Sequence, residues 1–397
     1  MMLRDVSRVL AASGVWVSSA FVLALFVAGC GTTESGGAGG SAAAGGAGGS
    51  GLPATLVVTA DWLNRSLTLL DYDKLIDGQS DAEAAIVDTI DLSDWEPGPI
   101  ELELTPDGRT AVVSVGPGFF DGTGLTNMII GSPTVPPGGT LLVVDLESGE
   151  AVSIDTEDVP LGIAINPEGT IAYTANYGTT DARGDSLSII DIAAREVIEE
   201  VTVGSGPEQV VLSADGTLGA VNIASENGIR VFQTSDVAGT MSDLVATASD
   251  PSDLTFLDGN AELVVANSQS LNVTLVDTSD PTMPTVIQNF MLGGVPYGLT
   301  YVPSRSSILA PTSPLTPTIP ASLITIAVDG QTLVPSPPDV LPGGPFPLTA
   351  AVDSGGDFAF VAHVSNNRLS IIDLETGSTR AIEWLTDPGP SYAAVHP

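Results

Sequence analysis

A proline opens a short alternating strand pattern at seven places: Pro99, Pro160, Pro207, Pro251, Pro296, Pro347 and Pro390. The intervals between them are 61, 47, 44, 45, 51 and 43 residues. Seven residues after each stand Pro106, Pro167, Ala214, Asp258, Pro303, Ser354 and Pro397. The clearest unit joins two alternating apolar runs, 160–166 and 170–176, through Pro167-Glu168-Gly169. That pattern predicts a hairpin. A third strand, Leu187 to Asp191, follows a polar loop, and a fourth, Glu196 to Val203, alternates again. Third strands close alike on Asp71, Asp145, Asp191, Asp277 and Asp373, while units four and six degenerate to 229–233 and 323–327. Four strands per unit at this period predict an all-β chain, a seven-bladed β-propeller of four-stranded antiparallel blades. The pattern begins mid-unit at Leu56 to Ala60, and the strand missing there is supplied by Pro390 to Pro397. The C-terminal strand is therefore expected to complete the first blade and remove the free edge at the seam. Residues 53–397 then form one propeller.

Composition narrows the partners. The 397 residues include 48 acids, 11 bases and one cysteine, for a formal charge of −37. Such a polyanion is repelled by phosphates, which argues against nucleic acid and against peripheral binding to anionic lipid. One cysteine rules out an intramolecular disulfide framework and a Cys-rich metal site. His363 and His396, the two histidines, are too few for a multi-histidine centre.

Residues 1–29 read as an export signal. Arg4 and Arg8 form a basic start, and the apolar run Val15 to Val27 is shorter than the ~20 residues that span a bilayer. It ends on Val27-Ala28-Gly29-Cys30, which resembles the bacterial lipobox. The resemblance implies cleavage before Cys30 and lipid attachment to its thiol. Residues 30–52 follow as a tether, with ten glycines between Gly31 and Gly51. This composition cannot bury enough apolar surface to order itself, and its coil would reach roughly 25 Å. Gly31, where an Asp would imply retention at the inner membrane, points to the outer membrane. Membrane contact is thus expected through the lipid anchor alone.

The repeats resemble the YVTN/YncE-type (lactonase-like) propeller family of bacterial surface and periplasmic proteins. The resemblance is carried by Pro106-Asp107-Gly108, Pro167-Glu168-Gly169, Ala214-Asp215-Gly216 and the Ala-Asn pairs 175–176 and 266–267. It implies the seven-bladed fold. It does not imply one activity, because the superfamily holds lactonase-like enzymes, dehydrogenase subunits and plain binding proteins.

Chemistry in such a fold is expected where the innermost strands meet the axial channel. The two positions after each opening proline include Glu101, Glu208 and Asp253, with no matching basic group. Sixteen residues after a proline, at the end of the second strand, stand Asn176, Asn267 and His363. These oxygen-rich groups suit Ca²⁺, which takes 6–8 oxygen ligands; the competing reading is a solvated acidic funnel. His363 is the one imidazole placed to act as a base, but it fills a slot that holds Asn in two sister blades, so it reads as a loop-facing polar residue. Asp71, Asp73, Asp77 and Asp81 lack calcium-loop spacing and read as an acidic turn. Arg183-Gly184-Asp185 is a short adhesion-type tripeptide in a loop. No Gly-x-Ser-x-Gly, His-Glu-x-x-His, Cys-x-x-Cys-His or phosphate loop occurs. The arginines are scattered over differing blade positions, so no substrate-gripping set of a lactonase emerges. The leading expectation is a tethered envelope propeller that binds a protein or polysaccharide at the channel mouth or blade loops, the long insertions 116–140 and 311–322 included. The alternative is a Ca²⁺-dependent lactonase-like hydrolase, its metal held by Glu101, Glu208, Asp253 and neighbouring Asn side chains.

Overall fold

The computed structural model describes residues 51–117, 138–314, 320–363, 367–384 and 389–396. The leader, Cys30 and the tether up to residue 50 lie outside the described residues, as do 118–137 and 315–319 of the two long insertions. Seven antiparallel sheets follow one another along the chain. Their innermost strands are Pro99–Leu104 in blade 2, Pro160–Ile165 in blade 3, Pro207–Leu212 in blade 4 and Pro251–Phe256 in blade 5. Blade 7 opens with Pro347–Val352. Blade 6 departs from the pattern: its innermost strand is split into Val295–Pro296 and Thr300–Val302, and its outer edge into Thr332–Pro335 and Asp339–Val340. Blade 1 runs, from outside to axis, Ile86–Asp91, Ser66–Asp71, Leu56–Asp61 and Pro390–Val395. The last strand of the chain thus pairs with the first, Val57 opposite Val395 and Asp61 opposite Pro390, as the sequence pattern predicts.

Alternation puts one apolar row of each strand into the space between blades. Among the described residues, seven apolar clusters form, and each belongs to two neighbouring blades. Phe360, Leu369 and Trp384 of blade 7 meet Val57, Leu70 and Ala393 of blade 1, so the seam is packed like the other interfaces. Two short helices, Tyr72–Ile76 and Ala82–Ala85, add to that seam. Sequence patterning reads only an acidic turn there. The carboxylates of Asp71 and Asp81 are spent as N-caps, accepting from Lys74 N and Ala84 N.

Two recurrent motifs are explained by geometry alone. The aspartates that end third strands accept backbone N–H groups of the next turn: Asp145 from Glu147 and Ser148, Asp191 from Ala194, Asp277 from Ser279, and Asp373 from Glu375 and Thr376. In the Pro-Glu-Gly and Ala-Asp-Gly turns the glycine is left-handed, at φ 70° for Gly169 and 69° for Gly216. Each also nests on its neighbour. A Cβ on Gly169 would lie 2.9 Å from Pro106 Cδ, and one on Gly216 would lie 2.6 Å from Pro167 Cδ. In blades 2 to 4 the proline of one blade thus seats the glycine of the next on one face of the disc, called here the lower face. The opening prolines lie on the other, upper face.

Candidate functional site at the upper mouth of the channel

An innermost strand leaves one row of N–H and C=O groups without a strand partner, facing the axis. Most of these strands also bulge just after the opening proline. Register shifts fall between Pro99 and Leu102, Pro160 and Ile163, Pro207 and Val210, Pro251 and Asp253, and Pro347 and Ala350. The positions singled out by sequence are these bulge residues, and a bulge re-aims side chains out of the sheet.

Two of the acids are consumed in joining blades. Glu101 Oε1 accepts from Ile163 N of blade 3 at 3.2 Å, and its Oε2 accepts from Gln209 Nε2 of blade 4 at 2.5 Å. Glu101 is 2% exposed. Gly162 makes this reach possible, because a Cβ there would sit 2.1 Å from Gln209 Oε1. Asp253 repeats the device: its Oδ2 accepts from Leu299 N of blade 6 at 2.7 Å and its Oδ1 from Leu254 N at 2.8 Å. In both cases a carboxyl two residues after one opening proline takes the amide three residues after the next. Burial raises both acids, Glu101 well above the ordinary carboxyl range and Asp253 to about 7. Hydroxyls and amides add further interblade bonds: Ser391 to Ile100 O at 2.7 Å, Ser252 to Pro296 O at 3.0 Å and Asn222 to Pro251 O at 2.6 Å.

The second-strand residues are spent elsewhere. Asn176 Nδ2 donates to Ser186 and Ser188 of its own third strand, at 2.9 and 2.7 Å. Asn267 Nδ2 donates to Asn272 Oδ1 at 3.0 Å and Thr274 Oγ1 at 2.9 Å. His363 is wholly buried, with Nδ1 2.9 Å from Gly344 O and Nε2 2.8 Å from Ser370 Oγ. It ends a second strand and faces the loop that enters blade 7 through Gly344, as a loop-facing polar residue would, and burial pushes its pKa down to about 4. All three lock second strand to third.

Glu208 differs from all of these. It follows Pro207 directly, is half-buried, and accepts no hydrogen bond among the described residues. Burial, then the neighbouring Asp250, raise it well above the usual carboxyl range, while Arg183 draws it back. Arg183 acts in the same sense on Asp250, whose carboxylate accepts from Ser268 Oγ. The guanidinium of Arg183 lies 4.1 Å over the Tyr177 ring, a cation–π stack. Tyr297, one residue after Pro296, has its phenol pushed up to about 12 by burial and by Asp250 and Glu208. Blades 3 to 6 thus bring together Tyr177, Arg183, Glu208, Asp250 and Tyr297 on the upper face.

Three things here were hidden from the sequence. Arg183, placed among the scattered arginines and in the tripeptide, is the basic group that the mouth otherwise lacks. Gly184 of that tripeptide is buried, and a Cβ on it would strike Asn176 O at 2.1 Å. Asp250 sits directly before an opening proline, on the other side of it from the positions considered.

Calcium does not fit the acids expected to hold it. Among the described residues no three His, Cys, Asp or Glu side chains come close enough together to bind a metal ion. The oxygens of Glu101 and Asp253 are already taken by N–H donors, and the Asn side chains face their own blades.

Fold and site together define a seven-bladed β-propeller with a polar, aromatic-flanked mouth. No protein-family model matches the chain, and no curated protein matches its sequence. Solved structures match its fold. The periplasmic gluconolactonase of Pseudomonas aeruginosa is similar over 86% of this chain and 99% of its own, with a TM-score of 0.65 and 16% identity. A protein of unknown function from Desulfotomaculum acetoxidans gives a TM-score of 0.66 at 15% identity, over 86% and 99% of the two chains. A candidate 6-phosphogluconolactonase from Bacteroides uniformis gives 0.63 at 16% identity, over 86% and 99%.

Proposed function

We propose that this chain is a lipid-anchored propeller of the bacterial cell envelope that binds a ligand, a protein or polysaccharide, at the upper mouth of its channel. The observation that carries the reading is the contrast at the mouth: Glu101 and Asp253 are committed to neighbouring blades, whereas Glu208 is left without a hydrogen bond beside Arg183, Asp250 and Tyr297. A half-buried carboxyl with no partner is a group that gains from a donor supplied by a ligand. Two tyrosines add flat, rigid contact area at low entropic loss. The anchor is Cys30, and the Gly-rich tether holds the disc clear of the outer membrane; Cys30→Ser releases the protein from membranes, and a variant that still sediments with them overturns the anchor.

Hydrolysis of a lactone is the second reading, favoured by Glu208 being a raised carboxyl next to a guanidinium. In it Arg183 polarises the lactone carbonyl, and Glu208 as carboxylate takes a proton from the attacking water and returns it to the ring oxygen as the acyl C–O bond breaks, leaving the hydroxy acid. No metal step is needed. Calorimetric titration of envelope polysaccharides and of aldonolactones against the parent, Glu208→Gln and Arg183→Ala proteins tests both. Binding without turnover, lost in both variants, supports the binding module; turnover lost with Glu208→Gln supports the hydrolase. Binding or turnover that survives both substitutions removes the site.

A further inference from the structure

Charge is not spread evenly around the disc. Residues 281–352 hold three charged side chains, Arg305, Asp329 and Asp339, in a chain with 48 acids and 11 bases. They form the outer strand of blade 5, Thr285–Met291, the whole of blade 6 and the innermost strand of blade 7. Among the described residues seven large apolar side chains are exposed, and five of them stand in this sector: Met283, Val286, Met291, Val334 and Val340. Ile287 and Phe290 of blade 5 share one apolar cluster with Leu333 of blade 6, so the two rims are continuous.

The outer strand of blade 5 is open on two sides. Val286 and Met291 stand opposite Val276 and Asn272 of the third strand, so both lie on the face that Val276 turns towards blade 4. Blade 4 does not cover them, because its own outer strand is two residues, Val245–Ala246. Met291 is left 65% exposed. The second open side is the strand's edge, a row of N–H and C=O groups that no other strand takes. Such edges are ordinarily guarded by charge or proline. The other full-length outer strands follow that rule: Ile86–Asp91 carries Asp88 and Asp91, Ala151–Thr156 carries Asp155, Glu196–Thr202 carries glutamates, and Thr379–Glu383 carries Arg380 and Glu383. In blade 6 the short strand Thr332–Pro335 ends on a proline. Thr285–Met291 has neither guard within its length.

We propose that two copies of the chain associate rim to rim here, the outer strand of blade 5 lying antiparallel against its own copy across a two-fold axis. The charge distribution selects this occupant. A cationic partner would be drawn to the acidic edges elsewhere, and phosphates or anionic lipid are repelled by the chain as a whole. The partner for which charge is the obstacle is another polyanion. Two molecules of charge −37 meet with least repulsion where neither carries any. Antiparallel pairing about a two-fold axis is self-complementary: the Val286 end of one strand meets the Met291 end of the other. The contact lies on the rim and leaves the channel mouth open.

Sedimentation velocity of the full chain in density-matched detergent, over a range of concentrations, tests the association. A dimer is expected, with hydrogen exchange in 285–291 slowing as it forms. Raised salt should strengthen it, because screening relieves the repulsion between two polyanions, whereas a contact between opposite charges would weaken. Met291→Glu and Gln288→Glu, both at exposed positions, should each weaken association about tenfold or more. Ile198→Glu, at the exposed apolar residue on the rim of blade 3, should leave it unchanged. A chain that stays monomeric up to about 100 µM in high salt overturns the proposal, as does a dimer that both strand substitutions leave intact. Protection of 285–291 that follows added phosphatidylcholine vesicles instead of protein concentration assigns the rim to a membrane surface and also overturns it.

Discussion

The lower-face turns and the upper-face bulges occupy equivalent places in successive blades, yet only the turns keep a shared pattern, and that in blades 2 to 4. Pro106 under Gly169 and Pro167 under Gly216 do one job repeatedly, fitting blade to blade. At the bulges the same register holds Glu101, Gly162, Gln209, Asp253 and Thr349. Some of these still serve the fold, as the Glu101–Gln209 bond shows, but the blades no longer agree. The comparison teaches that repetition marks structure, and that chemistry is to be sought where one blade breaks the pattern. Glu208 does so by leaving its carboxyl unbonded, and the outer strand of blade 5 by lacking the charges that its counterparts carry.

The largest expected effect lies in the turns. Gly216→Ala combines a left-handed φ of 69° with overlap onto Pro167, and should destabilise by about 4 kcal/mol in urea unfolding. Gly259→Ala is the control. That glycine is also left-handed, at φ 78°, but nothing lies within 4 Å of a Cβ there, so about 1–2 kcal/mol is expected. Equal losses would show that the turns do not engage one another.

His363 gives the next largest effect, and only in acid. Its native pKa near 4 lies below the ordinary 6.5, so the unfolded chain takes up a proton that the folded one resists. Stability is lost as pH falls from 6.5 towards 4, by up to about 3 kcal/mol at the lower end. His363→Asn, which installs the residue of blades 3 and 5, should remove that acid sensitivity. An unchanged pH profile would mean that the imidazole is charged in the folded chain.

Blade number, strand order and closure were legible because each rests on local signals: alternation, an opening proline and a turn seven residues later. Blade 6 was blurred for the same reason, since its split strands break the alternation. The site was legible only in part. Glu101 and Gln209 are 108 positions apart, so nothing near either tells that they share a bond. Asn176, Asn267 and His363 were recognised as a recurring slot, but their partners lie on the adjoining third strand and, for Asn267 and His363, in the loop that enters the blade. Arg183 reads as a loop residue because the repeat marks only Leu187 to Asp191, whereas the strand begins four residues earlier, at Arg183 itself, paired with Gly178.

The upper face itself supplies the two smaller effects. Glu101→Ala leaves the Ile163 amide and the Gln209 side chain without their acceptor in a buried setting, and should destabilise by about 2–3 kcal/mol. Glu208→Gln breaks no hydrogen bond among the described residues and should alter stability by no more than about 0.5 kcal/mol. Binding should run the other way. A ligand seated against Arg183, Asp250 and Tyr297 loses affinity when Glu208 is amidated, while a Glu101→Gln protein that remains folded retains it. Urea unfolding and calorimetry on the same two variants separate the roles. If Glu208→Gln proves the more destabilising change, or Glu101→Gln the more damaging to binding, the division of the mouth into bonds between blades and a binding site is wrong.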